Sequence, residues 1–360
     1  PEMIRRGGHV RVVAALGSFV SAVLILYPAI PHPVAWAIGR AIIGFSFCGV
    51  YVTAESWLNN GASNENRGHA VSLYMVVQMI GIVAAQGLLL LADPSGYILF
   101  VGISVLVSIS FAPILLSVSP TPAFDAPKPM RLMELIRVSP LGSVGMFLLG
   151  GIFAAQFGMA AIYGSQLGLS LSEISAFVAS FYIGAMLLQY PIGWVSDRMD
   201  RRLLIVICAA IGGAASLLAI LTGGNYYALL IAAFFVGGMS NPLYSLLIAH
   251  TNDFLEHEDM AAASAGLLFL NGIGAIAGPL IIGLMMESIG PVGFFLFIAT
   301  LLGVMGLYGA YRMTERPSIA VDYTSSYTPG APTSSPVLVE IAQEYDIEIA
   351  IEEETTQEQA

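Results

Sequence analysis

Two ionisable side chains stand inside a stretch that is otherwise apolar. Arg40 and Glu55 both lie in residues 34–57, VAWAIGRAIIGFSFCGVYVTAESW. A charge at membrane depth is expensive and normally faces a cavity, a partner or an ion path. An arginine there can hold a substrate anion or rest on backbone carbonyls. A glutamate can carry protons, receive Arg67 from the following loop, or cap the next helix. At helical spacing Arg40, Gly44, Phe47, Tyr51 and Glu55 form one stripe, with the two charges about 22 Å apart and so unable to pair directly. A second cluster, GWVSDRMDRR (193–202), places Asp197, Arg198, Asp200, Arg201 and Arg202 in a tight turn between two long apolar runs. An acid at a helix end can pair with a nearby arginine or face the positive N-terminus of another helix. The arginines alone can also serve as topology anchors. Uncharged candidates within apolar runs are Gln78, Gln86, Gln156, Tyr163, Tyr182, Asn241 and Asn271. Gln156, Asn241 and Asn271 lie deepest, and Pro242 after Asn241 frees a backbone carbonyl. Gln189 and His250 fall near span ends and read as interfacial.

The elements that carry these residues are membrane helices. The 360-residue chain is 57% hydrophobic and only 10% charged, with a mean hydropathy of +0.80. A soluble domain carries roughly 25% charged residues, and its core stops growing with length. A spanning helix needs about 20 apolar residues. Ten such segments are predicted, at 10–30, 34–57, 69–92, 97–118, 140–163, 173–195, 203–222, 226–250, 261–286 and 292–313. They are too long for strands and lack the alternation of barrels. The expected fold class is an all-α polytopic membrane protein. Cys48 and Cys208 fall inside spans, so no disulfide is expected.

Charge gives the orientation. Of thirteen basic residues, all but Arg40 fall before the first span or in every second connection and after the last span. By the positive-inside rule that side is cytoplasmic, and both termini with it. The formal charge of −11 is mostly tail: residues 314–360 hold ten acids and one base. Within the tail, 314–336 is rich in Ser, Thr and Pro, and 337–360 is acidic. It reads as a flexible tail, or as a docking segment for a cytoplasmic partner. The acidic loop 251–260 offers Asp253, Glu256, Glu258 and Asp259 as partners for Arg5, Arg6 or Arg11.

The longest internal connection, 119–139, divides the chain. It is Pro-rich, then briefly amphipathic and basic, and reads as a linker whose second part lies along the membrane surface. The expected domains are 1–118 (four spans), the linker 119–139, 140–313 (six spans) and the tail 314–360. Aligning the basic segment 1–11 with the charged turn leaves the first half two spans short. With Pro1 as first residue, about 50–70 preceding residues are expected to carry those spans.

On these features residues 1–313 resemble the major facilitator superfamily. GWVSDRMDRRLLI follows the family's loop signature at Gly193, Asp197, Arg198, Arg201 and Arg202, with Asp200 where the family usually has Gly. Arg40 to Gly44 resembles its R-x-x-x-G motif. GIGAIAGPLIIG (272–283) resembles the antiporter Gly-Pro signature, displaced to the pseudo-symmetric span. The resemblance implies a two-bundle fold with 10 of 12 helices present, working by alternating access. It also implies that Asp197 meets the start of the third visible span near Arg67, Gly68 and His69.

The expected function is secondary transport of a small amphipathic or weakly charged solute by a monomer in the plasma membrane, such as a bacterial inner membrane, with proton coupling left open. The alternative is a transporter-like receptor or scaffold acting through the acidic tail. No cofactor is expected. No nucleotide-binding loop, zinc-protease motif or nucleophile elbow occurs in the sequence. Basic residues follow topology and form no nucleic-acid patch. If the orientation is right, a membrane-impermeant thiol reagent added to intact cells labels Ser95→Cys and spares Glu256→Cys. The reverse pattern would overturn it.

Overall fold

Helix boundaries follow local chemistry. Ser170 and Glu173 cap reciprocally, with the Ser170 amide donating to the Glu173 carboxylate at 2.8 Å. The Asn225 side chain accepts the Ala228 amide at 3.2 Å. Ser139 accepts the Gly142 amide, with Pro140 at the first helical position. Asp200 accepts the Arg202 amide at 2.9 Å. Gly168, Gly224 and Gly290 turn the chain with positive φ, which an L side chain would resist.

The computed structural model describes residues 9–61, 67–116 and 130–315. In chain order the helices are α1 (His9–Ala29), α2 (Pro33–Gly61), α3 (Arg67–Leu88, extended by a 3-10 turn to Leu91), α4 (Ile98–Ser110) and α5 (Ala112–Leu116). There follow α6 (Leu132–Val138), α7 (Pro140–Ala154), a π-helical segment (Ala155–Met159) and α8 (Ala160–Gln166). The chain continues through α9 (Leu171–Ser196), α10 (Arg201–Leu221), α11 (Tyr226–Asn252), α12 (His257–Ile289) and α13 (Val292–Glu315). Among the described residues nine rods are long and apolar enough to cross a membrane, Pro140–Gln166 counting as one. The stretch expected at 69–92 forms α3, whose apolar part is Val76–Leu91. The chain is an all-α polytopic membrane protein.

From α7 onward the rods share one continuous core that includes Leu149, Ile152, Phe177, Phe181, Ile205, Tyr244, Phe294 and Ile298. Two seams bring backbones together. At Gly184 and Gly237 an added Cβ would strike the Phe234 and Phe181 carbonyls, so α9 and α11 touch directly. At Gly150 and Gly274 it would strike the Asn271 and Phe147 carbonyls, which places α7 against α12 in the same way. The Gly-Pro stretch 272–283 therefore includes one side of a packing seam. Such small-residue contacts suit a lipid setting, where apolar burial alone gives helices little reason to associate.

The earlier rods hold together differently. The Ser21 hydroxyl meets those of Ser104 at 2.7 Å and Ser108 at 2.9 Å, tying α1 to α4. Tyr27, Trp36 and Phe100 form an aromatic corner, with the Trp36 indole donating to the Tyr27 carbonyl. The two sets of rods meet where α3 lies on α9. The linker's helix α6 inserts Leu135 against Gly266 of α12. It is thus docked on the bundle through one face.

Replacing Gly237 by Val forces the α9 and α11 backbones apart. Overpacking of this kind costs about 1–3 kcal/mol or more. The detergent-purified protein is expected to melt several degrees lower. Gly44→Val, which meets open space, is expected to leave the melting temperature unchanged.

Candidate functional site

The π-helical segment interrupts the rod Pro140–Gln166 and carries Gln156. Such single-turn widenings leave backbone bonding out of step and recur at functional positions. The Gln156 amide nitrogen donates to the Ser240 hydroxyl of α11 at 2.7 Å. Its Oε1 is buried with no hydrogen-bond partner among the described residues. Around this pair runs a chain of rings. Phe153 stacks on Phe157 at 5.5 Å between centroids, and Phe157 stacks on Tyr182 at 5.3 Å, with Tyr244 at 6.3 Å from Phe153. Phe157 is exposed and Tyr182 half-buried, so this aromatic run reaches an open surface.

Glu55 of α2 is 0% exposed. The Tyr74 hydroxyl of α3 donates to its carboxylate at 3.1 Å. Gln78 follows Tyr74 one turn on along α3. The Glu55 charge also lies within electrostatic reach of Tyr51 and of Tyr244 on α11. Tyr244 therefore belongs both to the ring cluster around Gln156 and to the surroundings of Glu55. The stripe on α2 grades from exposed Arg40 and Gly44, through the stacked pair Phe47 and Tyr51, to buried Glu55.

The other sequence candidates fall elsewhere. The Asn271 side chain donates to the Met146 carbonyl at 3.1 Å, fastening α12 to α7. Asn241 donates to the Gly237 carbonyl of its own helix at 3.2 Å, and α11 runs unbroken through Pro242. Tyr163 is locked among Phe177, Phe294 and Phe295 in the core. Gln86 is half-buried on α3.

The charged turn sorts its residues by depth. Arg201, at the start of α10, is buried. It pairs with Asp253 just after α11, with side chains 2% and 4% exposed, and also donates to the Ser196 hydroxyl and the Ala249 carbonyl. Asp197, at 40%, lies 3.6 Å from the other nitrogen of Arg201. Asp200 takes two bonds from Arg202, at 3.1 and 2.8 Å, besides capping α10. Partial burial would raise the Asp200 carboxyl, but the Arg202 bonds outweigh it and hold it below the usual carboxylate range. That contribution to stability is present above the unfolded carboxyl range and is lost as pH falls through the lowered folded value. Arg198 lies over the Trp194 ring at 4.2 Å. Gly193 is buried in the last turn of α9. His250 is buried against Phe254 in the last turn of α11.

Asp253 was expected to pair with Arg5, Arg6 or Arg11; among the described residues it pairs with Arg201. The chain after α11 turns back over the start of α10, which the linear sequence does not reveal. Arg5 and Arg6 lie outside the described residues, as do the side chains of Arg67, His69 and Glu258. Sequence reasoning missed Tyr74, Ser240 and Tyr244. Helical spacing gives a signal for Tyr244, which follows Asn241 by three residues in the same span.

A polytopic helical protein with a polar and aromatic cluster shared between two sets of rods has an arrangement that suits a membrane transporter. The family model for the Major Facilitator Superfamily matches residues 142–326, and one described as Sugar (and other) transporter matches residues 9–129. The chain belongs to the major facilitator superfamily. An uncharacterized MFS-type transporter, YcaD, of Salmonella arizonae (strain ATCC BAA-731 / CDC346-86 / RSK2980) is 24% identical over 270 residues, covering 74% of this chain and 69% of the relative. YcaD of Salmonella newport (strain SL254) matches to the same extent. Among solved structures, a bacterial homolog of the human lysosomal transporter Spinster, inward-facing and unoccupied, aligns with a TM-score of 0.61 at 14% identity. That alignment covers 96% of this chain and 85% of the other. The transporter FucP in the outward conformation aligns with a TM-score of 0.50 at 14% identity, over 85% and 83% of the two chains. The chain is a membrane transporter and not an enzyme, and its family membership favours transport over a scaffold role.

Asp253→Asn leaves Arg201 without its buried counter-charge. Removing one partner of a buried pair costs about 3–5 kcal/mol. A marked drop in melting temperature is expected, with much of it recovered in Arg201→Met/Asp253→Leu. A wild-type melting temperature for Asp253→Asn would show that the pair carries no such weight.

Proposed function

We propose that the chain moves a small amphipathic or weakly charged solute by alternating access, coupled to protons through Glu55. The observation that carries this is the fully buried Glu55 carboxylate, which accepts from Tyr74 on one side and has Tyr244 of the second set of rods within electrostatic reach. A buried carboxylate is costly when ionised, so its protonation follows its exposure to water. The solute site is assigned to the neighbouring cluster. The stacked rings of Phe157 and Tyr182 offer an apolar face, and Gln156 Oε1 offers an acceptor for a solute N–H or O–H group. Arg40, exposed on the same α2 stripe, would serve an approaching anionic group. Asp197, Arg198 and the end of α9 are assigned to a contact at the cytoplasmic side that forms and breaks as the halves rock.

Proteoliposome transport screened over candidate solutes, with and without a pH gradient, tests this. Once a solute is found, Glu55→Gln is expected to cut gradient-driven accumulation roughly tenfold or more, while solute exchange at equal pH persists. Gln156→Leu is expected to raise KM about two- to tenfold, as loss of a neutral hydrogen bond worth about 0.5–1.5 kcal/mol implies. Gradient-driven accumulation that survives Glu55→Gln would remove the coupling role.

A further inference from the structure

Helix α6 is seated by Leu135, and its opposite side faces away from the bundle. Arg131, Met133, Glu134 and Arg137 are all exposed or half-buried there. Together with Val138 they line an open groove of about 550 Å³. No ion pair occupies either arginine among the described residues, although each lies within about a turn of Glu134. The groove is thus cationic at both ends, acidic between them, and apolar along Met133 and Val138. An occupant of matching chemistry would alternate acidic and apolar side chains.

The place where the described chain ends supplies one. Arg312, in the last turn of α13, lines a small cavity together with Val138, Ser139, Arg202 and His250. The end of α13 therefore stands beside the end of α6, and the described chain stops at Glu315, one turn later. Residues 316–336 come next, and at most about 3.3–3.6 Å per residue gives them a reach several times the length of α6. Residues 337–360 then hold eight acids and no base, with the alternating run Tyr345-Asp346-Ile347-Glu348-Ile349-Ala350-Ile351-Glu352.

We propose that residues 337–360 dock on the groove of α6, with Asp346, Glu348 and Glu352 to Glu354 meeting Arg131 and Arg137 and the isoleucines covering Met133 and Val138. Tethering raises the local concentration of the tail, so individually weak surface pairs suffice. The tail then clamps the one described helix of the linker that joins the two sets of rods, and links whatever modifies or binds the tail to their relative motion.

The test uses the full chain with Cys48→Ala and Cys208→Ala, reconstituted in discs of phosphatidylcholine or of phosphatidylglycerol. Met133→Cys and Ile349→Cys are expected to form a disulfide under mild oxidation in both lipids. Arg131→Glu/Arg137→Glu is expected to lower the yield roughly fivefold, as loss of a few surface pairs implies. Glu352→Lys/Glu353→Lys/Glu354→Lys, which leaves every residue of the described bundle unchanged, is expected to lower it similarly. Combining the two sets is expected to restore it. A yield indifferent to both charge reversals overturns the proposal. So does a disulfide that disappears in phosphatidylglycerol, since anionic headgroups would then hold the groove.

Discussion

Lipid offers a helix no hydrogen bonds, and it competes on equal terms for apolar side chains. The association of these rods therefore depends on backbones that come into direct contact. Gly184 and Gly237 let α9 and α11 meet, and Gly150 and Gly274 do the same for α7 and α12. Much of what is polar in the bundle is arranged around those seams. The Asn271 amide reaches the Met146 carbonyl only because α12 lies so close to α7. Gln156 reaches Ser240 across the neighbouring contact between α7 and α11. In the earlier rods, where the described seams are fewer, serine hydroxyls and an aromatic corner take over the fastening.

The charged turn divides labour by depth. Arg201 and Asp253 are both buried, so each needs the other, and the pair fixes α10 to the end of α11 inside one bundle. Asp200 does a local job, capping α10 and holding Arg202. That accounts for an acid at a position where the family usually has Gly. Asp197 is partly exposed and lies 3.6 Å from Arg201. A contact that must break in each transport cycle suits Asp197, because separating exposed charges costs little. A contact that must survive the cycle suits Arg201 and Asp253, because neither charge can be abandoned in a dry setting.

The rods and their order were legible in the sequence because length and hydropathy alone decide them. The turn that carries Asp197 to Arg202 was legible because charge is rare here and so conspicuous. Partnerships were much less legible. Asp253 and Arg201 are separated by an entire pair of helices, and pairing them requires knowing how the loop after α11 folds back. Asn271 and Gln156 look alike in a linear reading, each an amide deep in a span. Only packing separates them: one finds a backbone carbonyl on the next helix, while the other sits on a widened turn with an acceptor left over. Nothing in residues 155–159 announces that widening, since it arises from how the rod fits its neighbours. Tyr244 was hidden for a related reason. An aromatic in an apolar run normally reads as core, and its value here comes from the Glu55 that lies within its electrostatic reach.

On the proposed reading, the position of Glu55 ties protonation to geometry. Its neighbours Tyr51 and Tyr74 come from the first set of rods, and Tyr244 comes from the second. With the two sets together, the carboxyl is buried beside Tyr74 and shielded from water. When the sets part on that side, Tyr244 withdraws and water reaches the group, which lets it ionise. A single carboxyl at such a boundary links proton release to opening without any further moving part. The same parting would open the side of Tyr244 that adjoins Phe153, so solute and proton would gain access through one motion.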